Sequence, residues 1–436
     1  MSFKKIIYPV AVLLFGAACL AAPLRAGTYD RYATLYRQDR APSGAAKIAN
    51  EFLTYPFELL RWPMDRGLVF FEKHHLEAQG RWIYDEIRNR GLYPHVGGFR
   101  SYGLDVDFIQ LADQKMNFPD LKLKSGVHWD YHDVFQVTAD AGWQDLGETG
   151  VGPAAFFSYE SRPEEHFYGI GPNTSAGDGA SYKAETTTVG TRLDYNPNPT
   201  IHGDVFFSYR NVNITNGEDG GRNVIDKIFP AGSIPGLAGD ELLDVGINLM
   251  HDTRNHKGLS DRGGLRRFGF GYHEGLGSSD SRYLKYQTEI SQYFRLWSNR
   301  RVLAVRFFGE HNDGLGGHGV PFHQMAKLGG FGLSTSDTSE TLRGFDENRF
   351  FGESAALLNL EYRYAIYEYR EFRLDAVFFW DEGQVFQKFR DFRFSDFRES
   401  YGTGFRLSVA NHMLVSAELA HGDEGTQFYV KTRTPF

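Results

Sequence analysis

Between residues 354 and 386 the chain alternates with a period of two, and no other feature restricts its fold as much. Asn359, Glu361 and Arg363 take turns with Leu358, Leu360, Tyr362, Tyr364 and Ile366. Further on, Leu374, Ala376, Phe378 and Trp380 point one way while Asp375, Phe379, Asp381 and Gly383 point the other. Successive side chains of a strand face opposite sides, so one face of each run is polar and the other apolar. Glu361 and Asp381 fall on the polar faces. In a water-soluble protein the apolar face meets a core; in a membrane barrel it meets lipid, and the polar face lines the lumen.

The pattern recurs along the chain. Candidate strands cover 92–99, 102–112, 122–131, 134–142, 154–160, 184–195, 201–213, 241–251, 265–272, 284–294 and 301–311. After a long loop, 312–353, come 354–366, 372–386, 401–409, 413–420 and 428–436, sixteen in all. An even number suits a closed antiparallel barrel with both termini on one side. The connections at 196–199 and 298–300 are tight and turn-forming, as periplasmic turns should be. Those at 162–182 and 214–240 are long and rich in Gly, Asp and Asn, as expected of extracellular loops. The expected fold is all-β, a 16-stranded antiparallel transmembrane β-barrel with a long inward-folded loop and a short N-terminal helical segment.

Composition agrees. A chain of 436 residues holds two or three ordinary domains or one large barrel. Aromatics at 15% and 49 glycines fit many short amphipathic strands. Past the N-terminus no run approaches the roughly 18 apolar residues a spanning helix needs. A net charge of -8 gives no support for a nucleic-acid partner.

Residues 1–26 read as a secretory signal. Lys4 and Lys5 give the basic region, 6–20 the apolar stretch, and Ala21, Ala22 or Ala26 a small residue for cleavage. As a membrane anchor the apolar run is too short. Cys19 is the one cysteine, and 16–19 lacks the aliphatic residue of a lipoprotein site, which leaves lipidation a minor alternative. Cleavage after Ala26 would leave no thiol, hence neither disulfides nor cysteine ligands. Residues 27–90 are expected to form a short periplasmic or interfacial segment. Within it 45–60 has the spacing of an amphipathic helix interrupted by Pro56, and 68–73 adds a turn or two. The barrel should then occupy 91–436.

Three elements in order carry a resemblance: Leu342-Arg343-Gly344-Phe345, then Leu360-Glu361-Tyr362, then Phe379-Trp380-Asp381-Glu382-Gly383. Together they resemble the bacterial surface antigen superfamily of outer-membrane barrels, which includes the barrel-assembly insertase and the two-partner secretion translocators. The resemblance implies that the loop at 312–353 folds into the lumen. It also implies that Arg343 is held there by acidic residues of the inner wall, with Glu361 and Asp381 as partners and Trp380 and Gly383 completing the strand motif. Members that handle client polypeptides carry periplasmic transport-associated modules ahead of the barrel. Residues 27–90 are too short and wrongly patterned for one, so the chain resembles the subgroup without them. Phe428, Val430 and Phe436 fall on one face of the last candidate strand and resemble the signal by which such barrels are recognised for insertion.

What the resemblance implies is an outer-membrane location among lipid, contact with the barrel-assembly machinery during biogenesis, and a periplasmic client or partner protein. The expected function is outer-membrane protein assembly, polypeptide translocation or lipid handling, without enzymatic activity, cofactor or metal. A passive pore or structural barrel is the main alternative. An outer-membrane lipase is a minor one, for the chain has no Gly-x-Ser-x-Gly elbow. Residues 167–173, Phe-Tyr-Gly-Ile-Gly-Pro-Asn, and 251–255, His-Asp-Thr-Arg-Asn, also resemble family patterns and are expected to shape loop and strand ends. His74 and His75 are adjacent, which does not put two ligands on one helix face. The acidic runs 217–219 and 423–424 lack a calcium-loop spacing and read as solvated tips.

Overall fold

The computed structural model describes residues 95–97, 104–111, 121–129, 134–143 and most of 145–436, with short gaps at 147–148, 219–220, 299, 332–340, 370–371, 410–411 and 432–433. The expected leader and the helical readings at 45–60 and 68–73 lie outside these residues, as do His74 and His75.

The described residues form one large sheet and one small one. The first strands of the large sheet are β1 (His95–Gly97), β2 (Leu104–Leu111), β3 (Leu121–Trp129), β4 (Phe135–Trp143), β5 (Val151–Phe167) and β6 (Ala180–Asn198). There follow β7 (Ile201–Asn216), the two-residue β8 (Asn223–Val224), β9 (Asp240–Asp252), β10 (Gly263–Gly275), β11 (Arg282–Arg295) and β12 (Arg301–Gly314). Residues 315–353 hold the small sheet, an antiparallel pair of β13 (Ala326–Leu328) and β14 (Phe350–Gly352). The large sheet resumes with β15 (Ser354–Tyr369), β16 (Phe372–Phe386), β17 (Arg398–Val409), β18 (His412–Gly422) and β19 (Gly425–Lys431). Seventeen strands make it up. All of its registered pairs are antiparallel except β8, which adds to β6 in parallel.

Register turns the sequence alternation into two chemically different faces. Between β12 and β15, Val305 lies opposite Leu360 and Phe307 opposite Leu358, while Arg306 lies opposite Asn359. Between β15 and β16, Leu360 faces Trp380 and Asn359 faces Asp381. A slip of one residue would exchange the faces throughout. One face therefore carries Val189, Val205, Ile247, Phe268, Ile290 and Phe307, each 42–50% exposed. In water each such side chain forgoes about 1.5–3 kcal/mol of burial; against hydrocarbon that penalty vanishes. The opposite face carries buried Glu289, Arg306, Asn359, Glu361, Asp381, Arg406 and Glu418 from successive strands.

Several strands outrun their expected bounds. β5 and β6 continue to Phe167 and from Ala180, leaving 168–179 as the connection. The alternation was invisible at 160–166 because both faces are polar there, and the register shifts between Arg162 and Glu165, around Pro163, which has no N–H for the ladder. The expected last strand, 428–436, is corrected: β19 stops at Lys431. Phe428 and Val430 stay on the apolar face, opposite Leu419 and Ala417. Phe436 does not join them. It packs with Tyr293, Val302 and Ala304 on the polar side, 5.9 Å below the Arg363 guanidinium.

The connections sort by rim. Turns such as 199–200 and 296–300 are short; at the other ends of the same strands lie 168–179, 217–239, 315–353 and 387–397. The longest of these, 315–353, packs on the polar face and reaches residues in or next to strands far apart in the sequence. Asp346 accepts hydrogen bonds from Tyr168, which follows β5, at 3.0 Å and from Gln427 of β19 at 2.9 Å. This segment thus links the end of β5 to β19.

Candidate functional site: an arginine clasp beneath the long loop

The loop tip is Leu342-Arg343-Gly344-Phe345. Gly344 is at φ 96°, where an L side chain is strained, and a Cβ there would come within 2.9 Å of the backbone of His421 and Gly422. The tip therefore lies almost on β18. Leu342 and Phe345 are buried among Phe308, Leu328, Phe350, Leu357 and Val385, an apolar cluster set into an otherwise charged face. Gly383 makes the space: a Cβ on it would stand 2.9 Å from Leu328 and 3.3 Å from Leu342. Trp380, the other residue of the strand motif, is 38% exposed on the apolar face and takes no part in the clasp.

Arg343 has no exposed side-chain surface, and neither do Glu361, Asp381 or Glu418. Its Nε and Nη2 donate to the two oxygens of Asp381, both at 2.7 Å, a two-pronged fork. Nη1 donates to Glu361 at 3.1 Å and to Glu418 at 2.9 Å. The guanidinium lies 3.5 Å from the centre of the Phe379 ring, so one flat face is stacked while the edges are hydrogen-bonded. Burial alone would lower the Arg343 pKa; the three carboxylates, Asp381 foremost, outweigh it and hold the group charged.

Three carboxylates around one guanidinium would leave net negative charge in a buried place, at a cost of several kcal/mol. Two further arginines remove it. Arg406 of β17 donates to both oxygens of Glu361, each at 2.6 Å, and to Glu418 at 2.6 and 2.8 Å. Arg363 donates to Glu361 at 2.6 Å. Asn359 ties the network to the loop backbone, donating to Asp381 at 2.8 Å and to the Thr341 carbonyl at 3.0 Å. Sequence reasoning named Arg343, Glu361 and Asp381 but missed Arg406 and Glu418. Their signal was present in the sequence, as charges between Phe405 and Leu407 and between Ala417 and Leu419.

A second set of contacts holds the loop from the rim. Gly171 N–H donates to the Phe351 carbonyl at 2.7 Å, and Phe167 packs edge-on against Phe351. The Tyr168 ring stacks with Arg349 at 4.7 Å and Arg222 at 5.2 Å. Arg349 in turn makes a fork on Glu424, at 2.7 and 2.8 Å. Two sequence expectations change here. Residues 167–173 grip the long loop as well as shaping their own turn, and Glu424 is an ion-pair partner instead of a solvated tip. The 251–255 run is local, with Arg254 forked on Asp252 at 2.9 Å. Among the described residues no group of three His, Cys, Asp or Glu side chains is placed to hold a metal ion.

The fold has a counterpart among solved structures. BamA from Haemophilus ducreyi, lacking POTRA domains 1–3, is similar over 77% of this chain and 67% of its own, at 15% identity and a TM-score of 0.56. CdiB from Escherichia coli matches over 78% of this chain and 60% of its own, at 12% identity and a TM-score of 0.48. No curated protein matches the chain in sequence. The model of the Omp85 superfamily domain matches residues 129–420, well over half of the chain and the whole of the clasp. The chain belongs to the Omp85 superfamily, and is an outer-membrane β-barrel protein of that kind.

Proposed function

We propose that the protein is a closed sixteen-stranded barrel whose long loop is locked inside the lumen. In this reading it assists outer-membrane protein assembly, polypeptide translocation or lipid handling by conformational change of wall and loop, without covalent catalysis. The single observation that carries the reading is the Arg343 clasp: a loop residue fully buried against carboxylates from β15, β16 and β18. An arrangement with this many forked contacts ties the position of the loop to the relative placement of three wall strands. Discounting the two-residue β8 leaves sixteen strands in the large sheet. Closure of the last strand on the first two would satisfy the edges that lipid cannot.

The resemblance to insertase and translocator barrels supports a client-handling role over a passive pore. So does the blocked interior. Beside the loop there remains a cavity of about 640 Å³, lined among others by Arg162, Arg210, His273, Lys285 and Lys327. That is room for a small solute. The partners in this reading are outer-membrane lipid, the assembly machinery during biogenesis, and a client or delivery protein from the periplasm.

Planar-bilayer recording of the intact protein and of Arg343→Ala tests this. The wild type should show small, rare openings and the variant larger, frequent ones. A large steady conductance in the wild type, unchanged in the variant, would leave the passive pore as the better account.

A further inference from the structure

The connection between β16 and β17, residues 387–397, folds outward instead of over the mouth. On β16 the even-numbered residues face away from the clasp, yet Gln384 and Phe386 are only 2% and 6% exposed. The connection itself covers them. The Phe386 ring lies 6.2 Å from Phe389 and 5.5 Å from Phe392, and the Arg393 N–H donates to the Gln384 side chain at 3.4 Å. Phe389 also rests 4.4 Å from His311, on the same face of β12 as Phe307. Phe392 packs edge-on with Phe394 at 5.1 Å and Phe397 at 5.8 Å.

Despite this packing, Phe394 is 86% and Phe389 68% exposed, more than any other large apolar side chain among the described residues. Lys388, Arg390 and Arg393 stand exposed around them. Among the described residues Arg390 pairs only loosely with Asp391, at 3.8 Å, with the arginine 78% exposed. Within the segment the acids are engaged in local turns: Asp391 accepts from the Lys388 N–H and Asp396 from the Ser395 hydroxyl. The segment thus offers aromatic rings and cations together, in a chain whose net charge is -8.

Its level in the membrane follows from register. Trp380 and Tyr401 are directly opposite on the outward face, and Glu382 and Glu399 are the next outward pair toward the rim. The flap is seated on Gln384 and Phe386, just above that point, where hydrocarbon gives way to head groups. Aromatic and basic side chains favour that boundary. A soluble phosphate would leave the two phenyl rings in water, and a hydrocarbon chain alone would leave the cations unused.

We propose that residues 388–397 bind the phosphate-bearing glycolipid of the outer leaflet, its phosphates on Lys388, Arg390 and Arg393 and its acyl chains against Phe389 and Phe394. The proposal rests on the outer-membrane reading, with the long connections outside. Protein purified from outer membranes in mild detergent should carry phosphorylated glycolipid, detected by native mass spectrometry. Retention should fall several-fold in Lys388→Ser/Arg390→Ser/Arg393→Ser and in Phe389→Ser/Phe394→Ser. Arg390→Lys/Arg393→Lys should keep it, which separates loss of charge from loss of fold. In nanodiscs, tryptic cleavage at these basic residues should slow only when the glycolipid is added to phosphatidylcholine. Equal retention in all variants would overturn the proposal. So would equal protection in both nanodisc types, or protection by a bound protein without glycolipid. An upset of the underlying reading looks different: the wild type would be missing from the outer-membrane fraction and its gel mobility would not change on heating.

Discussion

At the scale of single residues, Arg343 decides whether the loop and the wall are one unit. Removing one member of a buried ion network leaves its partners uncompensated, typically at about 3–5 kcal/mol. Arg343→Ala should therefore expose 315–353 to protease and lower the temperature at which the gel mobility of the folded barrel is lost; unchanged digestion and mobility would show that the clasp holds nothing. Arg343→Lys keeps the charge but has no planar fork to match Asp381, so it should recover only part of the protection. Gly383 makes a contrasting prediction. Gly383→Leu adds no charge and removes none, yet it fills the space that Leu328 and Leu342 occupy. Its loop should be as protease-sensitive as that of Arg343→Ala, and a fully protected loop would mean the tip can seat elsewhere.

At the scale of elements, the loop is held at two levels that ought to respond separately. The clasp lies between β15, β16 and β18, whereas Tyr168, Asp346, Arg349 and Glu424 join the loop to neighbouring connections at the rim. Tyr168→Phe keeps the ring that stacks on Arg349 and loses one hydrogen bond to a carboxylate, worth about 1.5 kcal/mol for a charged acceptor in reach of water. Partial opening should follow: faster hydrogen exchange in 346–352 with little change near Thr341 and Arg343. Uniform acceleration across the loop would mean the two levels act as one. Much of this was readable in advance. The acids at 361 and 381 stood out because their spacing put them on polar faces, and Leu342-Arg343-Gly344-Phe345 because of the family resemblance. The rim contacts did not, because no period links residues 168, 222, 346 and 424.

At the scale of the whole molecule, the apolar face should meet hydrocarbon around the full girth. A variant whose only tryptophan is Trp380 should be quenched by brominated lipid chains, and one carrying its only tryptophan at position 379 should not. Equal quenching would place the charged face in lipid and reject the barrel. The fate of Phe436 also belongs to this scale. Its alternation with Phe428 and Val430 predicted a shared face, but Pro435 lacks a ladder donor, and the aromatic ring instead finds Tyr293, Val302 and Ala304 across the interior.

What the sequence determined by itself was periodic: which runs are strands, which face of each is polar, and therefore that the sheet separates lipid from a charged interior. Local alternation records this because neighbouring side chains must point apart. Tertiary structure alone decided which charges meet. Arg406 reaches Glu361 from 45 positions away and Glu418 reaches Arg343 from 75, through strand register and the curl of the sheet, and neither quantity leaves a trace in any short window of residues.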